Sequence, residues 1–315
     1  MTVPTFDRRS VFGRVGAVLQ IQTVLFNNDF DSLERAVKAL SRCCELAIGA
    51  GAISKAVLRL GDCSPFQSLD EAKLERLQAA GRHLPDVVYH WFDGTNLGSA
   101  RGHNELASRA NEGTDFLWIQ NPDVVVSPRL FEQVLAPFHQ PGVGQVEAKQ
   151  LPVEHPKEYD PATGETEWTT TACVMTPLAL FRALDGFDAD TFFLYCDDVD
   201  LAFRIRELGL RLIFQPAAGC FHDKRLGDSG EWQPSAAEVI YSAEAALMMA
   251  HKWSYPEFLE QTLKIFEGSG ESYLQRAVDI FQARRTAGTL PVPRDPNHEV
   301  AKFNGHFYTK HRFPL

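Results

Sequence analysis

The chain has 315 residues, of which 31 are Lys or Arg and 41 are Asp or Glu, so its formal net charge is −10. Hydrophobic residues make up 44% and charged residues 23%, which is typical of a folded protein and excludes global disorder. The acidic balance argues against a nucleic acid partner, because phosphate contacts need clustered Lys and Arg. No apolar run is long enough for a spanning helix, and the first ten residues lack the core of a signal peptide. We therefore expect a cytoplasmic protein.

Strand-like and helical patterns alternate from Val15 to about His222. Strands are predicted over residues 16–26, 56–60, 87–91, 116–120 and 210–214, with helices between them. Asp31 with Glu34, and Ser68 with Glu71, have the spacing of helix-capping boxes. Further helices are predicted near residues 178–185 and 199–208. This alternation predicts an α/β domain with a largely parallel sheet.

The pattern changes after His222. Three helices are predicted, beginning near Ser235, Pro256 and Tyr273. We therefore divide the chain into residues 1–225, a catalytic domain, and residues 226–315, a helical region. Its last part, residues 284–315, has six Lys or Arg and two Asp or Glu, a local charge of +4 among several aromatic residues. That tail suggests peripheral contact with the inner face of the plasma membrane, and a homodimer is left open.

Four of the predicted strands are followed by segments that contain polar residues. These segments begin with Phe26-Asn27, Asp62, Asn96 and Asn121. In an open parallel sheet, ligands bind at the carboxyl ends of the strands. Each residue taken alone is equally typical of an ordinary turn. Their repetition at corresponding strand ends is what favours a binding site.

The segment from Asn96 to Asn104 contains two glycines and an arginine. Gly98 and Gly102 permit close approach of a diphosphate, and Arg101 can neutralise its charge. A glycine-containing helix start explains the same spacing. The segment matches neither the dinucleotide-binding fingerprint nor the Walker loop.

Two further residues suggest a cation site. Asp123 follows a buried strand and a proline, a position suited to a hard cation that bridges phosphate oxygens. The alternative is an aspartate that caps the next helix. His222 becomes a ligand only if the fold returns it to Asp123, and a carboxylate–imidazole pair would then suit Mn²⁺ or Mg²⁺.

Asp197, Asp198 and Asp200 crowd the first turn of a predicted helix, after an aromatic run. Mutual repulsion raises the proton affinity of at least one carboxylate, and the helix N-terminus partly offsets this effect. Such a cluster is suited to a general base. The alternative is one capping aspartate and two solvated ones.

These motifs, in this order, resemble the inverting family 2 glycosyltransferases, especially the bacterial rhamnosyltransferase-like and galactofuranosyltransferase-like branch. The resemblance covers about residues 15–225. The matching residues are Val24-Leu25-Phe26-Asn27 with Leu33-Glu34-Arg35, Asp62, Asn96 with Gly98, Gly102 and Asn104, Asn121-Pro122-Asp123, Gly186-Phe187-Asp188, Phe192-Phe193, Asp197-Asp198-Val199-Asp200-Leu201 and His222.

The resemblance implies a GT-A fold, which is a Rossmann-like, mostly parallel sheet flanked by helices, and a UDP- or dTDP-linked sugar donor. It places Asp123 and His222 on a divalent metal ion (Mn²⁺ or Mg²⁺) and makes Asp198 the general base. Asp197, Asp200 and Trp168 would contact a glycan or glycolipid acceptor. The donor would contact Phe26, Asn27, Asp62, Asn96, Gly98, Arg101, Asn104 and Asn121.

This implies an enzyme of cell-surface polysaccharide synthesis that inverts the transferred sugar. The sequence departs from the family at Thr171, which stands where a glycine is usual and leaves the sugar and acceptor specificity open. Two alternatives use the same residues. One is a metal-dependent nucleotide-sugar phosphohydrolase, and the other is a non-catalytic nucleotide-sugar-binding scaffold.

Overall fold

The computed structural model describes residues 16–84, 86–154, 158–222 and 236–303. The strands of this part are β1 (Ala17–Leu25), β2 (Ile53–Asp62), β3 (Asp86–Trp91), β4 (Phe116–Gln120), β5 (Val124–Val126), β6 (Val143–Leu151), β7 (Glu165–Thr166), β8 (Cys173–Pro177) and β9 (Arg211–His222). The α-helices are α1 (Phe30–Gly49), α2 (Glu71–Ala80), α3 (Gly98–Ser108), α4 (Leu130–Leu135), α5 (Leu178–Ala183), α6 (Asp197–Glu207), α7 (Ala236–Lys252), α8 (Pro256–Gly268) and α9 (Ser272–Ala287).

The strands of the described part join in one sheet with the order β3-β2-β1-β4-β8-β6-β9-β5, and β7 pairs with β9. β1, β2, β3 and β4 are parallel to one another. β8 is antiparallel to both β4 and β6, and β6 is parallel to β9. The carboxyl ends of β1, β2, β3 and β4 therefore meet at one edge, where open α/β sheets bind ligands.

The helices form where apolar residues recur at a spacing of three and four. In α1, Leu33, Val37, Leu40 and Cys44 are buried on one face. The predicted capping box at Asp31 is wrong, because the N-cap residue lies two positions earlier and its side chain accepts from the amide of Ser32 at 2.8 Å.

The same correction applies to α2. Asp70 is its N-cap residue and accepts a hydrogen bond from the amide of Lys73 at 2.8 Å. Ser68, predicted to cap this helix, instead donates its hydroxyl to Asp62. Aspartate and serine have similar capping preferences, so the sequence alone does not distinguish neighbouring candidates.

Two hydrophobic clusters fill the protein. One lies between the sheet and helices α1, α2 and α4. The other combines residues of α5 and α6 with residues of the C-terminal helices, including Trp253 and Phe281. The rings of Phe203 and Trp253 meet edge to face with centroids 5.1 Å apart. The helical region thus shares a core with the α/β part.

The predicted fold class is confirmed as mixed α/β, with a mostly parallel sheet flanked by helices and a helical C-terminal region. The predicted division at residue 225 falls within residues 223–235, outside the described residues. The end of the basic tail, residues 304–315, also lies outside them. In the described part, no helix is both long and apolar enough to span a membrane.

Candidate functional site

The sheet topology brings Asp123 to His222. β5 is antiparallel to β9, and Val124 pairs directly with His222. As a result, Oδ1 of Asp123 lies 3.4 Å from Nε2 of His222. Asn121, at the end of β4, places Nδ2 3.4 Å from the same imidazole nitrogen. Residues 101 positions apart in the sequence therefore form one polar group at the carboxyl edge.

A line of buried hydrogen bonds orients the imidazole of His222. Its Nδ1 lies 2.7 Å from Oε1 of Gln150. The amide of Gln150 donates to the hydroxyl of Thr170 at 3.0 Å, and that hydroxyl donates to Glu147 at 3.0 Å. Since a carboxylate ends the line, Gln150 accepts at Oε1 and Nδ1 of His222 carries the proton. Nε2 then presents its lone pair to Asp123.

This arrangement fits a divalent cation. A carboxylate oxygen and an imidazole lone pair that face each other 3.4 Å apart are both electron-rich, and an oxygen–nitrogen pair of this kind suits Mn²⁺ or Mg²⁺. The hydrogen bond to Gln150 is the outer contact that metal-binding histidines usually have. Within the described residues, no group of three or more His, Cys, Asp and Glu gathers as a complete cage.

Asp197 and Asp198 begin α6 and are both buried. Tyr195 and Cys196, directly before them, have φ angles of 69° and 60°. Left-handed backbone at two successive residues with side chains costs energy and is found where function requires a fixed geometry. Oδ1 of Asp198 accepts from the amide of Val199 at 2.8 Å.

Asp200, predicted to bind the acceptor, faces the helical region instead. It is fully buried, and its Oδ2 accepts from Nε of Arg204 at 2.7 Å. Its Oδ1 lies 2.5 Å from Nζ of Lys252 and 3.2 Å from Nε1 of Trp253. With its oxygens held by these groups, Asp200 joins α6 to α7, and this structural role replaces the predicted acceptor contact.

Trp168, predicted as a stacking platform for the acceptor, is 1% exposed. A ring that stacks on a sugar needs an open face, and this ring is packed in the second hydrophobic cluster. The acceptor assignment of Trp168 is therefore corrected to a core role. The neighbouring Thr170, before the unusual Thr171, belongs to the hydrogen-bond line behind His222.

Asp62 anchors the loop that follows β2. Its carboxylate is fully buried and accepts from the amides of Ser64 and Ser68 at 2.9 Å, the hydroxyl of Ser68 at 2.7 Å and the hydroxyl of Tyr89 at 2.5 Å. Burial opposes ionisation, but the hydrogen bonds from Ser64, Tyr89 and Ser68 keep the pKa of Asp62 below its ordinary value. The predicted base contact of Asp62 stays a prediction, since its oxygens already serve the loop.

The end of β1 is tied to that same loop. Asn27 has a φ of 53°, and its amide donates to the hydroxyl of Ser64 at 2.9 Å. The side chain of Phe26 is about half exposed beside it. Of the residues predicted for the nucleotide, Phe26 is therefore the one with an open apolar face at this edge.

The segment from Asn96 to Asn104 is fastened to the residues before α6. The amide of Gly98 donates to Oδ1 of Asn96 at 3.1 Å, and the amide of Ser99 donates to the carbonyl of Phe193 at 3.1 Å. The side chain of Asn104 exchanges two hydrogen bonds with the backbone of Phe187, at 2.8 and 2.9 Å.

Arg101 forms an ion pair with Asp190 at 2.6 Å. The polar atoms of Arg101 and Asn104 thus bind protein groups of the 187–190 segment. Neither residue is placed beside Asp123, so their predicted donor contacts stay predictions.

Sequence reasoning missed the groups that support the site. Gln150, Thr170 and Glu147 orient His222, and Lys252 pairs with both Asp188, at 2.7 Å, and Asp200. The available signal is four polar residues, Gln145, Glu147, Lys149 and Gln150, within the run of residues 143–151, whose other members are Gly, Ala, Val and Leu. Buried polar residues in a strand need partners, and such partners mark an organised site.

Comparison with solved structures shows this fold in known proteins. One match is a crystal structure of GalNAc-T7 with UDP, GalNAc and Mn²⁺, with a TM-score of 0.58 and 13% sequence identity. The match covers 87% of this chain and 55% of that one, so the chain spans about half the length of the matched protein. No family model matches the sequence, and no curated protein matches it either. At this identity the likeness shows the fold, which is similar to that of the GT-A glycosyltransferases.

Proposed function

We propose that the chain is an inverting glycosyltransferase of the family 2 type, which moves a sugar from a UDP- or dTDP-linked donor to a hydroxyl of a glycan or glycolipid. The observation that carries the proposal is the Asp123–His222 pair, 3.4 Å apart at the carboxyl edge of the sheet. Support comes from the solved structure of similar fold, GalNAc-T7, which contains UDP and Mn²⁺. The rhamnosyltransferase-like branch and a role in cell-surface polysaccharide synthesis belong to the same proposal.

Each residue has a defined task in this proposal. Asp123 and His222 would hold Mn²⁺ or Mg²⁺, which when bound stabilises the negative charge of a diphosphate leaving group. Asp198 takes the proton of the acceptor hydroxyl, whose oxygen then attacks the anomeric carbon opposite the leaving group. Asp197 lies next to it and orients the hydroxyl. Phe26 offers an apolar face to the nucleotide base.

Replacement of Asp198 by Asn tests the proposal. The amide cannot accept the hydroxyl proton, so we expect transfer to fall about 10²–10⁴-fold, the usual contribution of a general base. Binding of the nucleotide should stay close to that of the unaltered protein. Asp279→Asn, an exposed aspartate on α9, is the matched control and should keep full transfer.

The assay uses a panel of UDP- and dTDP-linked sugars, with Mn²⁺ or with EDTA, and compares turnover with and without a hydroxyl acceptor. NMR of the product gives its anomeric configuration, which should be opposite to that of the donor. Sugar release that needs no acceptor would instead identify a phosphohydrolase. Nucleotide-sugar binding without turnover, unaffected by Asp198→Asn, would identify a scaffold.

The basic tail is also part of the proposal, as a peripheral membrane contact. Phe303, an aromatic residue of the tail within the described part, stacks on Tyr255 with ring centroids 4.1 Å apart. It also meets Phe258 at 5.1 Å. Any membrane contact would therefore involve residues after Phe303. Removal of residues 304–315 should lower the membrane-bound fraction in sedimentation with anionic vesicles, and an unchanged fraction would refute the contact.

A further inference from the structure

A cavity of about 820 Å³ lies between α3, the segment of residues 184–191, α6 and the segment of residues 289–294. This volume is in the range of sites that hold small molecules. Neither Asp123 nor His222 is among its lining residues. The wall on α3 carries Arg101 and Asn104, whose polar atoms bind Asp190 and Phe187.

Arg204 in the wall of this cavity has an unused hydrogen-bond donor. The residue is 6% exposed, its Nε donates to Asp200 at 2.7 Å, and its Nη1 donates to the carbonyl of Leu184 at 2.8 Å. Nη2 is buried and has no acceptor among the described residues. Buried polar atoms almost always have partners, and a charged donor without one is costly. Because Nη2 has almost no accessible surface, an anionic oxygen in the cavity reaches it only when the guanidinium of Arg204 turns toward the cavity.

The cavity is also positive within a chain whose net charge is −10. Its acidic lining residues are Glu105, Asp185, Asp188 and Asp190. Its basic lining residues are Arg101, Arg182, Arg204, Lys252, Arg284 and Arg294. Arg204 pairs with Asp200, Arg294 with Glu207 and Glu105 with Arg109, all partners outside the lining. Together with these partners the cavity has seven positive and six negative groups, a local charge of +1.

Two of these arginines have no acidic partner in the described part of the chain. Arg182 has no ion pair there, and the guanidinium of Arg284 donates to the carbonyl of Thr289, a neutral acceptor. Asp188 and Asp190 are already neutralised, by Lys252 and Arg101 respectively. Arginine matches carboxylate and phosphate oxygens better than any other side chain. The guanidinium groups of Arg182 and Arg284 are thus suited to bind an oxyanion.

We propose that this cavity binds a small molecule that carries an oxyanion, either phosphate or carboxylate, at a site that does not include Asp123 or His222. Arg182 and Arg284 contact the anionic group, and Nη2 of Arg204 joins them when its guanidinium turns toward the cavity. The proposal holds whether or not the chain transfers sugars, because it rests on the lining residues of this cavity.

The test is isothermal titration of the full-length protein with inorganic phosphate, glucose 6-phosphate, glucuronate and neutral glucose. EDTA is present, so metal-dependent binding at Asp123 and His222 does not contribute. We expect saturable binding of at least one oxyanion and none of glucose. The phosphate and carboxylate arms show which anion the site prefers.

Arg182→Gln and Arg284→Gln should each weaken that binding about tenfold, which corresponds to one charge-assisted hydrogen bond. Arg285→Gln is the matched control, with the same charge change at an exposed neighbour that does not line the cavity. Arg204 is left intact, because its pairing with buried Asp200 makes a folding defect the expected result of replacing it.

Three results would overturn the proposal. They are the absence of saturable binding by any of the oxyanions, equal weakening by Arg285→Gln and Arg284→Gln, and competitive displacement of the oxyanion by UDP with Mn²⁺. The last result would place the donor in this cavity. A failure of sugar transfer alone leaves the binding measurement unaffected, so the two proposals fail separately.

Discussion

The orientation of His222 depends on one acceptor, Oε1 of Gln150. Gln150→Leu removes that acceptor, so the imidazole proton is free to move to Nε2, where it would block a cation. We expect Mn²⁺ to bind about 10–100-fold more weakly, as when outer-shell partners of metal ligands are lost. Calorimetric titration with Mn²⁺ measures the change. Gln140→Leu, at an exposed glutamine, is the control, and equal affinities for all three proteins would contradict the assigned role.

Asp62 stabilises the fold through its ionised form. Its pKa is lowered in the folded state, because the hydrogen bonds to the carboxylate outweigh the opposing effect of burial. A lowered pKa means that the stabilisation is fully present above the unfolded pKa of about 4 and is lost as the pH falls further. Asp62→Asn should therefore cost about 2–4 kcal/mol of unfolding free energy at pH 7, in line with loss of charge-assisted hydrogen bonds.

Urea unfolding at pH 7, 5 and 3 provides the measurement for Asp62→Asn. The difference between the variant and the unaltered protein should stay constant from pH 7 to pH 5 and shrink at pH 3. Asp279→Asn serves as the exposed control. A difference that grows toward low pH would show that Asp62 is not held ionised by its loop.

At the scale of residues, the sequence identifies candidate site residues better than it predicts which side chains contact one another. Asp123 and His222 are paired in the sequence analysis through the family resemblance, whereas their approach to 3.4 Å comes from the antiparallel pairing of β5 with β9, which local sequence patterns do not predict. The partners of Asp200 could not be foreseen, since Lys252 and Trp253 belong to a helix beyond residues 223–235. Nothing in local spacing records which distant charge a buried carboxylate meets.

At the scale of elements, prediction succeeded where the hydrophobic pattern was continuous. The sequence predicts β4 with its observed bounds, because four of its five residues are apolar. The sequence patterns do not predict β6 and β8, which lie next to each other in the sheet between β4 and β9. Polar residues within β6 interrupt its pattern, and an antiparallel strand between parallel ones has no signature in local periodicity.

The start of α3 depends on close contact with the residues before α6. Gly98 has a φ of 69°, and a Cβ there would lie 2.3 Å from the carbonyl oxygen of Phe193. Gly98→Ala should therefore separate the two elements and destabilise the fold by about 3 kcal/mol or more, from clash and left-handed strain together. The Michaelis constant for the donor should rise, because residues of both elements flank the proposed site.

Gly113→Ala separates the steric clash from the left-handed strain that together should destabilise Gly98→Ala. Its φ is 81°, but a Cβ at Gly113 meets no atom within 4 Å. The control thus carries the conformational cost alone, about 1 kcal/mol, and should leave the Michaelis constant unchanged. Equal losses of stability in both variants, measured by urea unfolding, would show that the contact with Phe193 is unimportant.

At the scale of the molecule, the two predicted domains share a hydrophobic core. The second hydrophobic cluster contains residues of α5 and α6 together with residues of α7, α8 and α9. The sequence shows where helical periodicity begins after His222. Periodicity does not tell whether the C-terminal helices pack against the α/β part or only against one another. The composition of the cluster indicates that the helical region completes the core around α6.

Replacement of Lys252 tests whether the helical region and the α/β part unfold together. Lys252 is 4% exposed, and its ammonium joins α7 to Asp188 and Asp200. Lys252→Met leaves a buried carboxylate with one cation fewer, and we expect a loss of about 3–5 kcal/mol of unfolding free energy. Lys264→Met breaks the exposed pair with Glu260 at 2.8 Å and should leave the unfolding free energy close to that of the unaltered protein, because solvent screens exposed pairs. Unfolding in urea, followed by tryptophan fluorescence and by circular dichroism, should remain a single transition in all three proteins. A separate early transition of helical signal would mean that α7, α8 and α9 fold as their own unit, and the shared core would then not couple the two regions.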